Sequence, residues 1–129
     1  MLKGGGLSVL IVDGDLGDRG ILRYMLGELG ITNLHEASCS RDALAQLSRR
    51  PFGLILAGGA LGEMDGLALL GAVRNQPTTA NVPFVILSDA ALPQEVAKAR
   101  SLGVTDYLLR PLDTATLAAR LRVALGPVV

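Results

Sequence analysis

The sequence predicts an α/β fold in which five short apolar strands alternate with five amphipathic helices, the pattern of a parallel sheet covered on both faces. Three observations carry that expectation. Segments 7–13, 53–57 and 82–88 are almost unbroken apolar runs, as strands buried on both sides must be. Stretches with apolar residues at helical spacing separate them. The chain has 129 residues, half of them hydrophobic, which is enough for one domain with a substantial core.

In chain order, segment 7–13 is the first strand. Ile21, Leu22, Met25, Leu26 and Leu29 then follow helical spacing and are expected to form one buried stripe. Asp15 and Asp18 sit where a helix start favours negative charge, and the helix should end near Gly30. The second strand, 33–37, is more polar and suits an edge. Ser40 is the expected cap of a second helix running through Ala43, Leu44 and Leu47 to Pro51. After strand 53–57, Asp65 or Gly66 opens a third helix carrying Leu67, Leu70 and Val73, with Pro77 as its stop. Strand 82–88 leads to a fourth helix from Pro93 to Leu102, with Gly103 as terminator. Strand 105–109 follows, and Asp113 caps a last helix bearing Leu117, Leu121 and Leu125. Right-handed crossovers place helices on both faces, so the expected architecture is a flavodoxin-like (βα)5 three-layer sandwich with strand order 2-1-3-4-5.

Lys plus Arg equal Asp plus Glu at twelve each, so no net field favours nucleic acid or an anionic membrane. Cys39 has no partner for an intramolecular disulfide and reads as a small packed side chain. No apolar run reaches the ~20 residues of a membrane span, and the start lacks a secretory segment. The expectation is a soluble, cytoplasmic protein with a flexible leader at 1–6, one domain at 7–126 and a tail at 127–129.

Ligand chemistry in such sheets gathers at the carboxyl ends of the strands. There the chain reads Val9-Leu-Ile-Val-Asp-Gly-Asp15 after the first strand and Phe52-Gly-Leu-Ile-Leu-Ala-Gly-Gly-Ala-Leu-Gly-Glu-Met-Asp-Gly66 around the third. It reads Ser88-Asp89 after the fourth and Asp106-Tyr-Leu-Leu-Arg-Pro111 at the fifth. These segments, in this order, resemble a response regulator receiver domain of the chemotaxis-regulator type, and the resemblance covers nearly all of residues 7–125. It implies that Asp13 is the first member of an acidic, magnesium-orienting pair whose second place is taken by Gly14. It implies that Gly58 occupies the phosphoacceptor position. Ser88 would match the hydroxyl that binds a phosphoryl oxygen, Tyr107 the aromatic switch, and Pro111 a cis peptide. Arg110 stands in place of a phosphate-pairing lysine. Gly59-Ala-Leu-Gly62 departs from the family's loop, whereas Met64-Asp65-Gly66 keeps its turn.

Glycine offers no oxygen nucleophile, so the resemblance points to a degenerate receiver. Arg110 is expected to pair with Asp13 or to reach solvent, and arginine for lysine is not a conservative exchange. Magnesium binding is not expected, because Asp13, water and backbone would support only weak coordination. Each site residue also has a plainer reading: Asp15 as a helix cap, Ser88 as a loop hydroxyl, Asp89 as a solvent-facing charge, Tyr107 as a half-buried edge aromatic. The expected function is a non-enzymatic, phosphorylation-independent interaction module in two-component or phosphorelay signalling. It would bind a signalling protein or a second copy through helix four, strand five and helix five, by way of Leu92, Lys98, Tyr107 and Arg120. Two alternatives stay open at this stage: an unusual phosphoacceptor using Asp15, Asp89 or Ser88, and a receiver controlled by a nucleotide ligand at Arg19, Arg23, Arg49 and Arg50.

Overall fold

A computed structural model describes residues 6–58, 61 and 65–126. Leader residues 1–5, the tail 127–129 and the loop residues Gly59, Ala60, Gly62 and Met64 discussed above lie outside these. The element order is β1 (Ser8–Asp13), α1 (Leu16–Glu28), β2 (Asn33–Ala37), α2 (Ser40–Arg49), β3 (Leu54–Gly58), α3 (Gly66–Arg74), β4 (Phe84–Ser88), α4 (Pro93–Ser101), β5 (Asp106–Leu109) and α5 (Thr114–Leu125). All strand pairs are parallel and the sheet order is β2-β1-β3-β4-β5. The polar β2 lies at an edge, as its composition requires.

The apolar strands divide their side chains between two cores, because successive residues of a strand point to opposite faces. Val9, Ile11, Leu54, Leu56 and Val85 pack with Leu22, Met25 and Leu26 of α1 and Leu117 and Leu121 of α5. Leu10, Val12, Ile55, Phe84 and Ile86 pack with Ala43 and Leu47 of α2, Leu69, Leu70 and Val73 of α3, and Ala99 of α4. Each fully buried aliphatic contributes about 1.5–3 kcal/mol. The two-sided burial of β1, β3 and β4 makes the centre of the sheet a rigid platform for whatever sits at its carboxyl edge.

Helix ends follow local chemistry. Asp15, Asp65 and Asp113 cap α1, α3 and α5 by accepting from the backbone N–H of Gly17, Ala68 and Thr116. Gly103, at φ +87°, turns the chain out of α4 in the left-handed region that a Cβ disfavours. Two expectations need correction. Ile21 is not part of the buried stripe of α1: it is 57% exposed, since the helix turns its core face through Leu22, Met25 and Leu26. Ser40 is the first residue of α2 rather than its cap, a position held by extended Cys39 without a side-chain bond. Helix α3 ends at Arg74 with Pro77 just beyond its cap, and the Thr79 hydroxyl donates to the Val73 carbonyl at 2.7 Å.

Candidate functional site at the carboxyl edge of the sheet

The register places Asp13, Gly58 and Leu87 side by side at the ends of β1, β3 and β4. Arg110, just beyond β5, reaches back across them. Its Nη1 donates to Asp13 Oδ2 at 3.1 Å and lies 3.6 Å from Asp18 Oδ2, while its Nε donates to Asp89 Oδ1 at 3.2 Å. One guanidinium thereby ties β1, the first turn of α1 and the loop after β4 to the start of the β5–α5 connection. The expected Arg110–Asp13 pair is present, and Asp13 is 1% exposed against 18% for Arg110. Burial alone would lower the Arg110 pKa, but the hydrogen bond and charge of Asp13, helped by Asp18 and Asp89, hold it above its ordinary value.

Asp13 is engaged from every side. Its Oδ1 accepts from the Asp15 N–H at 2.9 Å, its Oδ2 accepts from Arg110, and its backbone carbonyl accepts from Arg19 Nη1 at 2.6 Å. In front of Gly58 there is little room. A Cβ built there would stand 2.8 Å from the Leu87 carbonyl oxygen, 3.2 Å from Arg110 Nη1 and 3.3 Å from Asp13 Oδ2. The backbone contact is the severe one, because a strand carbonyl cannot swing aside as a side chain can.

A cleft of about 320 Å3, with Gly58 and Arg110 in its wall, runs between β3, β4 and the starts of α3 and α4. Ser88 Oγ donates to the Ala90 carbonyl at 2.8 Å and accepts from the Ala90 N–H at 3.2 Å. The Tyr107 hydroxyl approaches the same carbonyl at 3.4 Å. Ser88 and Tyr107 therefore meet at Ala90. Asp89 is 85% exposed, so the plainer expectation of a solvent-facing charge holds for most of its surface, yet its carboxylate still meets Arg110. The Arg110–Pro111 peptide is cis, as the resemblance implied.

A divalent ion needs several oxygen ligands converging on one point, and the described residues of this edge offer few. Gly14 and Gly58 carry no oxygen side chain, Asp15 is spent on the α1 cap, and both Asp13 carboxylate oxygens are taken. Among the described residues, no group of three or more His, Cys, Asp or Glu is arranged to hold a metal ion.

The remaining candidates are dispersed. Arg19 and Arg23 both bind Glu36 on one face of β2, at 3.0 and 2.7 Å. Arg50 instead stands 3.3 Å from the His35 ring, which projects from the opposite face. Arg49 shares a groove with Arg50 and Phe52, away from α1. Leu92 and Lys98 are exposed on α4, and Arg120 is bound in bidentate fashion to Asp106 at 2.8 and 2.6 Å. Sequence reasoning missed the convergence of Asp18 and Asp89 on Arg110. Its only signal was the helical spacing that puts Asp18 one turn after the Asp15 cap. It also missed an exposed apolar face of α1 formed by Leu16, Ile21 and Tyr24.

The fold and this strand-edge geometry define a class, that of the receiver domains. The sequence matches the response regulator receiver domain family over residues 9–122, and the chain belongs to that family. It is 33% identical over 120 residues to the transcriptional regulatory protein ZraR of Escherichia coli O157:H7, covering 93% of this chain but only 26% of that regulator. It is 34% identical to an uncharacterized 14.6 kDa protein of Leptolyngbya boryana, covering 83% of this chain and 81% of the other. Among solved structures, the chemotaxis protein CheY4 of Vibrio cholerae superposes with a TM-score of 0.85 at 26% identity, covering 92% of this chain and 98% of the other. The receiver domain of a Pseudomonas aeruginosa sensor histidine kinase, whose structure has a magnesium ion in its active-site cleft, gives 0.84 at 24% identity over 95% and 99%. Receiver domains are modules of two-component signalling that act through other signalling proteins. No helix among the described residues is long and apolar enough to cross a membrane.

Proposed function

We propose that this chain is an atypical receiver that works as an interaction module without being phosphorylated at the family's acceptor position. The observation that carries the reading is Gly58, which has no nucleophile and is fronted by the Leu87 carbonyl and the Arg110–Asp13 pair. Phosphoryl transfer depends on a positioned oxygen nucleophile and on cations that neutralise developing charge. The first is missing at position 58, and Asp13 is already neutralised from within. The chain is then a binder rather than an enzyme, and its output depends on the surface it presents.

The face formed by α4, β5 and α5 suits that role. Leu92 is 46% exposed, Lys98 is exposed, and Tyr107 lies half-buried between this face and the strand edge. Its hydroxyl shares the Ala90 carbonyl with Ser88, so docking at Tyr107 is linked to the loop after β4. A signalling protein or a second copy that binds one arrangement of this loop better would shift it without phosphate.

Incubation with acetyl phosphate and magnesium, followed by intact-mass measurement, tests the reading. The mass should not change. A phosphate-sized increment mapped to Asp15, Asp89 or Ser88 would instead establish the second reading, an unusual phosphoacceptor. Recovery of a binding partner should fall for Tyr107→Ala, and equal recovery would remove the α4–β5–α5 face.

A further inference from the structure

We infer that the Arg110 guanidinium is a built-in cation that does the charge-balancing work of a metal ion at this edge and keeps divalent ions out. The inference rests on the reading above and deepens it by saying how the pocket is regulated: it is held in one arrangement by the chain itself.

Four observations support it. The guanidinium contacts three carboxylates from three separate segments, Asp13, Asp18 and Asp89, as one cation gathering its ligands would. It is largely enclosed, so its charge is poorly screened by solvent and acts strongly over these distances. Asp13 has no carboxylate oxygen left without a donor. Finally, Nη1 stands 3.2 Å from where a Cβ at position 58 would lie, so the guanidinium and an acceptor side chain compete for the same space. Burial first, and then the Asp13 and Asp15 charges, raise the Asp18 pKa against the pull of Arg110. Without the arginine, buried Asp13 and neighbouring Asp18 would lose the guanidinium that meets them both, which favours uptake of a cation from solution.

This makes a gain-of-binding prediction. In the full chain, thermal unfolding of the wild type should be the same in 10 mM MgCl2 as in NaCl of equal ionic strength. Arg110→Gln keeps a polar, shorter side chain and removes the charge. It should unfold earlier in NaCl and recover with MgCl2. An apparent magnesium Kd of about 1 mM would raise its Tm by about 5 °C through binding linkage. Equal responses of variant and wild type, in either direction, would overturn the inference. Should Arg110→Gln fail to fold, the wild type still decides the matter by amide NMR with Mn2+. Selective broadening at Asp13, Asp18 and Asp89 would overturn the inference, and uniform weak broadening would support it. Metal binding by the wild type would sink this inference alone. A phosphate-sized mass increment would sink the proposed function, whichever way the metal experiment falls.

Discussion

Two arginine–aspartate pairs stand at opposite ends of β5 and share little beyond their composition. Arg120 grips Asp106 with two short bonds, and the arginine of that pair stands half in solvent, at 49% exposure against 17% for the aspartate. Arg110 meets Asp13 through one longer bond, at 18% and 1% exposure, and spreads its remaining contacts over Asp89 and Asp18. Better geometry at the surface does not mean greater consequence. An exposed pair contributes about 0–1 kcal/mol, because solvent already satisfies both charges. A buried pair adds little over an apolar replacement, yet it cannot lose one member cheaply, since the other is left charged and dry. The first pair joins β5 to α5 at the surface, and the second crosses the carboxyl edge of the sheet.

The sharpest way to break this contrast is to remove one partner of each. Asp13→Ala should cost about 3 kcal/mol in urea unfolding, as it removes the buried partner of Arg110 and frees the Asp15 N–H. Gly58→Ala comes next, at about 1–3 kcal/mol, because the new Cβ meets the Leu87 carbonyl. A glycine elsewhere sharpens the same point. Gly20 faces solvent on α1 with nothing within 4 Å of an added Cβ, so Gly20→Ala should stabilise the chain by about 0.8 kcal/mol. The smallest effect is expected at the surface pair, where Asp106→Asn should cost about 0.5 kcal/mol at neutral pH.

That last variant also carries a pH signature. The Arg120 hydrogen bonds, with help from the Tyr107 N–H and against partial burial, hold the Asp106 carboxyl below its usual range. A depressed folded-state pKa contributes stability that is fully present above the unfolded value of about 3.9. It is lost as pH falls through the folded value. The stability gap between wild type and Asp106→Asn should therefore close under acid, below about pH 4, and a gap that widened there would contradict the assignment.

Much of the fold was legible because buried parallel strands leave continuous apolar runs, and because Asp15, Asp65 and Asp113 sit where helix starts require an acceptor. The errors came where periodicity has no view of the neighbours. Ile21 fits the helical stripe as well as Leu22 does, and only the direction of α1 against β1 decides that one is buried and the other exposed. At the site, the topology alone brings Asp13, Gly58 and Arg110 to one edge, so their meeting could be anticipated. Two features could not. The Leu87 carbonyl in front of Gly58 is a backbone position with no residue signature, and the contacts of Asp18 and Asp89 with Arg110 depend on the reach of one side chain.

The central claim is that the acceptor position carries no nucleophile and leaves no room for a side chain. It is met most directly by amide NMR of the labelled protein, titrated first with MgCl2 and then with acetyl phosphate. The account predicts that the Asp13, Gly58 and Ser88 resonances keep their positions throughout. Saturable shifts of those three resonances, accompanied by a phosphate-sized gain in mass, would contradict it.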